Sequence, residues 1–298
     1  CHTFFHRCKI EVESIRNLDE LRLWVDKNRV GISQNPAAWC AIELAVLDLF
    51  AQTSKCKVST LLNLSSHKFA NKFSAILSQG SYTKAIFFRL MGFNDFKVKI
   101  SSSYKEHSNI LKLLNLVGIS GDSIRLDGNN CWDNFEDCIN ELSPAKEVFW
   151  ALEEPLNAFD FEGLFKIAKT LNCKIILDES FVDSSQLEQV IKNPDIFIVN
   201  IRISKLGGVL RSIEIIEALI RNKIKFILGS HVGETSLLGQ AQLMLANAFA
   251  PHILNIEGGF STWLLKEDPF HPNLKLGYGA RYAKVRRNNY GWGVSYVD

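Results

Sequence analysis

The chain has 298 residues, is 47% hydrophobic and carries a formal net charge of only +2. That length and apolar content suit one barrel of about 250 residues with a small attachment, and the near-neutral balance argues against a nucleic-acid-binding or membrane-surface protein. No apolar run approaches the roughly 20 residues that span a bilayer, no signal peptide is visible, and the seven cysteines, without a CxxC pair, read as reduced thiols of a cytoplasmic protein.

The first 35 residues carry the weakest signals. KIEVES (Lys9 to Ser14) reads as a strand and Leu18 to Lys27 as a short helix. Pro36 then opens a strong helix that runs to about Gln52, because proline suits a first helical turn. Apolar positions cover most of its circumference, so it should be buried on more than one side. Its Glu43 and Asp48 are expected to face solvent or a cap. Residues 53–72 are polar and rich in Lys and Ser, and read as the passage into the main domain.

From Phe73 a βα rhythm sets in. Strand patterns lie at 73–78, 96–100, 123–129, 149–155, 174–180, 196–203, 225–231 and 252–259, with amphipathic helical stretches between them. Eight strands alternating with helices favour an α/β fold of the (β/α)₈ TIM-like barrel type over an open sheet. The tail from Ser261 to Asp298, rich in Gly and aromatics, is expected to fold back on the N-terminal region or to cover the barrel. The division is 1–72, 73–260 and 261–298.

The stretch from Phe149 to Ser180 organises the chemistry. Two apolar runs end in carboxylates, Glu153-Glu154 before Pro155 and Asp178-Glu179, and Asp127 ends the preceding strand in SIRLDGN. Asp127, Glu153 and Asp178 stand 26 and 25 residues apart, about one βα unit each. In a closed parallel barrel these strand ends converge on one face. Three converging acids repel one another unless a cation lies between them, and a hard, oxygen-seeking ion such as Mg²⁺, with Mn²⁺ as a substitute, is the natural choice. Lys97 and Lys99 in FKVKI alternate with period two and share a side, expected to be the barrel interior. They would be costly there unless carboxylates or a ligand paired with them. A lysine beside a cation and a second ammonium has a depressed pKa and becomes a usable base. Taken alone, the pair would read as two surface lysines.

KVK, LDGN, LEEP, LDES and the K-x-G-G after the sixth strand, in this order, resemble the enolase superfamily. More narrowly, they resemble its muconate-lactonizing-enzyme and mandelate-racemase branch, which includes o-succinylbenzoate synthases and dipeptide epimerases. The resemblance covers roughly residues 36–298. It implies a barrel with an α+β N-terminal capping domain, shortened here. It also implies Asp127, Glu153 and Asp178 as Mg²⁺ ligands, Lys99 as the acid/base lysine, Lys97 as the lysine that tunes it, and Asn129 beside the metal. Glu154 and Glu179 would support the ligands from behind. The implied chemistry is abstraction of a proton α to a substrate carboxylate, with the metal stabilising the enediolate.

The sixth strand departs from the pattern. Muconate-lactonizing-type members carry a lysine where NIRISKLGG has Arg202, and mandelate racemase carries an Asp there, paired with a His after the seventh strand. His231 in GSH resembles that His. Arg202 stays protonated, so it is a poor base but a good electrostatic partner. Lys205 lies on the opposite side of the strand from Arg202 if the strand continues, or on the following loop. With Lys99 as the single base, the expected reaction is a lyase (syn-dehydratase) or cycloisomerase. The alternative is a racemase or epimerase of an amino-acid derivative or hydroxy acid, with a neutral His231 on the opposite face. A further alternative is a silent barrel with a binding role. Glu234 and Glu257 also follow barrel strands, and either could hold a substrate amine or hydroxyl, or equally be a helix-capping or structural acid. Trp132 and Trp263 are candidates for lining a pocket, with core packing the stronger expectation. The implied partner is a small-molecule carboxylate, and the resemblance adds a homo-oligomer.

Overall fold

The computed structural model describes residues 2–67, 73–78, 80–259, 261–283 and 289–297. The expected division points at 72/73 and 260/261, and part of the 53–72 passage, fall on residues outside this set. The N-terminal part carries helices α1 (His2–Ser14), α2 (Leu18–Lys27), α3 (Arg29–Gln34), α4 (Pro36–Thr53) and α5 (Val58–Leu61). KIEVES is therefore helical, and the N-terminal part is helical rather than α+β among the described residues. The reason is a helical stripe that begins before Lys9. Phe4, Cys8 and Ile15 are buried and Val12 packs against them, a spacing of four, four and three. Helix α4 is apolar nearly all round and buries most of its face, with an exposed stripe at Ala37, Ala41, Ala45 and Leu49. Trp39 is fully buried on it and stacks on Trp24 at 4.4 Å.

The barrel strands are β1 (Ala75–Leu77), β2 (Phe96–Lys99), β3 (Ile124–Asp127), β4 (Ala151–Glu153), β5 (Lys174–Leu177), β6 (Phe197–Ile201), β7 (Phe226–Leu228) and β8 (Ile253–Ile256). They pair in parallel in sequence order. The ring closes where the Ser74 amide donates to the Ile256 carbonyl at 2.8 Å, beside a parallel bridge between Phe73 and Ile256. Between the strands run α6 (Tyr82–Leu90), α7 (Tyr104–Leu116), α8 (Phe135–Leu142), α9 (Phe161–Leu171), α10 (Leu187–Ile191), α11 (Val209–Arg221) and α12 (Ser236–Ala248), and α13 (Ser261–Leu264) follows β8. The tail reaches back to the N-terminal helices. There the Trp292 indole donates to the Leu44 carbonyl at 2.8 Å and its amide to Asp48 at 2.9 Å. The six described cysteines are free thiols. No described helix is long and apolar enough to cross a membrane.

Glu43 does not face solvent. It is fully buried, and its carboxylate accepts the Val209 and Leu210 amides at the start of α11, tying α4 to the barrel. Gly208 is required beneath it, because at φ +103 any Cβ would lie 2.3 Å from the Glu43 carboxylate. Burial raises the Glu43 pKa from 4.5 to about 7 against the backbone amides that favour its charge. The folded value lies above the unfolded one, so this contribution is full below about pH 4.5 and is lost as pH rises through about 7. Glu43→Gln mimics the protonated form. Wild type should lose roughly 3 kcal/mol relative to it over that window, read by urea unfolding at pH 5 and pH 8. Parallel pH dependence of the two proteins would count against the assignment.

Candidate active site

Strand register builds the site. Lys99 pairs with Asp127 and Asp127 with Glu153 across β2, β3 and β4, at one level of the C-terminal face. Asp178 directly follows β5. Gly128 turns the chain away after β3, where a side chain would meet the Pro155 Cα at 3.0 Å and the Glu154 carbonyl at 3.2 Å. The LDGN turn therefore needs glycine because the loop after β4 passes against it.

The two lysines of β2 differ sharply. Lys97 is buried, with its ammonium 3.2 Å from Asp127, 3.1 Å from Glu153 and 3.0 Å from Glu257. Burial alone would lower its pKa, but Glu153, Glu257 and Asp127 outweigh burial and hold it above the ordinary lysine value. The depressed pKa expected for this pair does not apply to Lys97, because three carboxylates rather than a second ammonium surround it. Lys99 is exposed at the barrel mouth and donates to Asn129 Oδ1 at 3.3 Å.

Glu257 lies inside the barrel and is no substrate-amine anchor. It bridges Lys97 and Arg125, whose guanidinium sits 2.9 Å away and also reaches Ser74 at 2.7 Å and Asp95 at 2.9 Å. Burial would raise Glu257, yet Lys97 and Arg125 hold it down at about 2. Glu153 moves the other way, raised by burial and by Asp127, Glu257 and Asp178 despite Lys97. Arg125 was missed in the sequence, although it shares a face with Asp127 two residues on. Asn200 was missed too. It is buried mid-strand in β6 and donates to Glu153 at 2.9 Å. A lone amide inside an apolar strand was the signal for it.

Glu154 turns back at φ +37 to accept the Asp178 and Ser180 amides at 2.6 and 2.7 Å and the Ser180 hydroxyl at 2.8 Å. It fastens the loop that carries Asp178. Strand β6 ends at Ile201, so Arg202 and Lys205 both lie beyond it. Lys205 reaches back to Asp178 at 2.7 Å, and Arg202 pairs with Asp178 while standing 3.9 Å from Glu153. Opposite faces of a strand therefore do not describe this pair, since both cations meet on one carboxylate. Beyond β7, the His231 amide donates to Glu234 at 2.7 Å. Partial burial lowers the His231 pKa, as does Arg202, against Asp178, which raises it. Trp132 is core, while Trp263 is 42% exposed beside the mouth.

The donor set suits a hard cation. Asp127, Glu153 and Asp178 are buried oxygen donors at adjacent strand ends, and Glu179 Oε2, beside Asp178, is buried without a hydrogen-bond partner. As they stand, no three Asp, Glu, His or Cys side chains among the described residues converge as a ready-made site. Arg202 lies across Asp178 and Glu153 instead, so a divalent ion shared by those two acids must displace the guanidinium. Arg202→Met should therefore tighten Mg²⁺ binding by roughly tenfold or more, since a charge-assisted hydrogen bond no longer competes. Calorimetric titration reads this directly, and unchanged or weaker affinity would refute the competition.

The sequence profile of the enolase C-terminal domain-like family matches residues 84–297. The chain belongs to the enolase superfamily. Within its muconate-lactonizing and mandelate-racemase branch, an L-amino acid-D/L-Glu epimerase of Francisella philomiragia is 28% identical over 187 residues, 60% of this chain and 51% of that protein. A hydrophobic dipeptide epimerase of Enterococcus faecalis is 24% identical over 217 residues, 72% of this chain and 61% of that protein. The crystal structure of an Enterococcus faecalis dipeptide epimerase, complexed with Mg and the dipeptide L-Leu-L-Tyr, shares the fold with a TM-score of 0.73 at 23% identity, covering 88% of this chain and 73% of that one. The chain spans about half to six tenths of the length of these curated relatives.

Proposed function

We propose that this enolase-superfamily chain removes the proton α to a carboxylate and returns one to the opposite face, racemising or epimerising an amino-acid derivative. The observation that carries this reading is the placement of Lys99. Its ammonium opens at the barrel mouth next to Asn129, while Lys97 behind it is locked among Asp127, Glu153 and Glu257. Lys99 serves as the base on one face, and Asn129 orients it. His231, its pKa lowered and three strands round the ring from β2, serves the other face. Asp127, Glu153 and Asp178 would hold Mg²⁺, which when bound draws electron density from the substrate carboxylate. Lys205, paired with Asp178, supplies positive charge beside it, and Arg202, once displaced from Asp178, supplies a second cation at the mouth.

The epimerases and racemases among the relatives support this two-base reading over the lyase or cycloisomerase expected from Arg202 alone. Arg202 is the observation that favours the one-base reaction, because a guanidinium cannot accept the proton. The test is α-proton exchange. The protein with Mg²⁺ is incubated in D₂O with N-acyl amino acids and dipeptides, and deuterium at the α-carbon is followed by NMR. Exchange that stops on chelation and returns with Mg²⁺ is expected. A chain that binds these carboxylates but never exchanges the α-proton would refute the proposal.

A further inference from the structure

A cavity of about 440 Å³ opens beside His231, between the ends of β1, β7 and β8 and the helices α6 and α13. Its walls are largely apolar. Phe87 and Phe88 come from α6, Val232 from the loop after β7, and Trp263 and Leu264 from α13. Three of the rings form a mutual cluster, with Phe87 5.6 Å from Phe88, and Trp263 5.7 Å from Phe88 and 6.3 Å from Phe87. Phe87, Val232, Trp263 and Leu264 all leave large apolar surface exposed around this one opening. Side chains left open in one place mark a binding surface, whereas scattered ones do not. The size and lining match small-molecule pockets, and a cluster of aromatic walls holds rings and branched alkyl groups best.

The cavity adjoins the candidate site through His231, which lines it. Ser230 lines it too, and His231 feels the charges of Arg202, Asp178 and Lys205. A substrate whose α-carbon lies between Lys99 and His231 therefore has this cavity within reach of a substituent. Two further features narrow the chemistry. Glu234 and Lys84 both form part of the wall, so it carries one acid and one base and its apolar rings set the preference. Glu257, which also follows a barrel strand, is spent on Lys97 and Arg125 and does not reach into the cavity as an acid. We infer that the cavity receives an apolar substituent, aryl or branched alkyl, of a carboxylate substrate.

This inference deepens the proposed function and rests on it for the position of the α-carbon. The test uses the full chain with Mg²⁺ and calorimetric binding of N-acetyl-L-phenylalanine, N-acetyl-L-alanine and N-acetyl-L-glutamate. The phenylalanine derivative should bind roughly 10- to 100-fold more tightly than the alanine one, and the glutamate derivative no more tightly than alanine. Phe87→Ala and Leu264→Ala truncate half-exposed side chains on the cavity wall, so the fold should survive, as circular dichroism would verify. Each should erase most of the phenylalanine preference, read as the ratio of the phenylalanine to the alanine affinity. Equal binding of the three probes, no binding at millimolar concentration, or a preference untouched by both substitutions would overturn the assignment. So would a concentration-dependent dimer that blocks the probes and is abolished by Phe87→Ala, which would give the cavity to a second copy of the chain. Apolar preference without any α-proton exchange would sink the proposed reaction and leave the cavity assignment standing. Exchange without preference would do the reverse.

Discussion

Replacing Lys99 by alanine is expected to cut α-proton exchange by about 10³-fold, the usual contribution of a positioned general base, and to leave stability nearly unchanged. The reason is local. Lys99 is exposed and donates to the Asn129 side chain alone among its recorded hydrogen bonds, so truncation leaves no buried charge without a partner. Exchange rates by NMR and thermal unfolding of the same samples check both halves. A Lys99→Ala protein that exchanges at the wild-type rate would remove Lys99 from the chemistry. One that unfolds early would make it structural.

Lys97→Met should behave in the opposite way. It leaves Asp127, Glu153 and Glu257 facing one another in the barrel interior without the ammonium that holds them together. Breaking a buried ionic cluster by removing one partner costs about 3–5 kcal/mol. Part of this should be recovered on acidification, because protonating Glu153, already raised by burial and its acidic neighbours, relieves the repulsion. Urea unfolding with and without the substitution measures it. A wild-type midpoint for Lys97→Met would show that the ion cluster is not what holds this level of the barrel together. The two lysines, two residues apart on one strand, thus differ in place, one ammonium at the barrel mouth and one in the core.

The barrel was legible because its signal is periodic. Each strand is a short apolar run ending in a turn, and each carboxylate falls where that run stops, so the strands carrying Asp127, Glu153 and Asp178 could be placed from spacing alone. Partnerships across the barrel were not legible. Nothing local in IRLD or NIEGG indicates that Arg125 and Glu257, 132 residues apart, share a hydrogen bond at 2.9 Å. Substrate contact and structural acid therefore stayed open for Glu257. Far face or following loop stayed open for Lys205 because alternation does not say where a strand stops, and β6 stops at Ile201. The N-terminal region misled because Lys9 to Ser14, viewed alone, alternates like a strand. Its helical stripe appears only when Phe4 and Cys8 are included. Solvent or a cap was open for Glu43, and the cap it serves was not legible because its partner amides lie 166 residues away at the head of α11.

The central claim is that two bases, Lys99 and His231, work from opposite faces of one α-carbon. The most direct measurement follows deuterium uptake from the L and the D form of one N-acyl amino acid separately, in wild type, Lys99→Ala and His231→Asn. The account predicts that wild type exchanges both forms with inversion, that Lys99→Ala loses exchange of one form, and that His231→Asn loses exchange of the other. Exchange of a single form with retained configuration, unaffected by His231→Asn, would contradict it and return the reaction to a one-base lyase or cycloisomerase with Arg202 as the cation opposite.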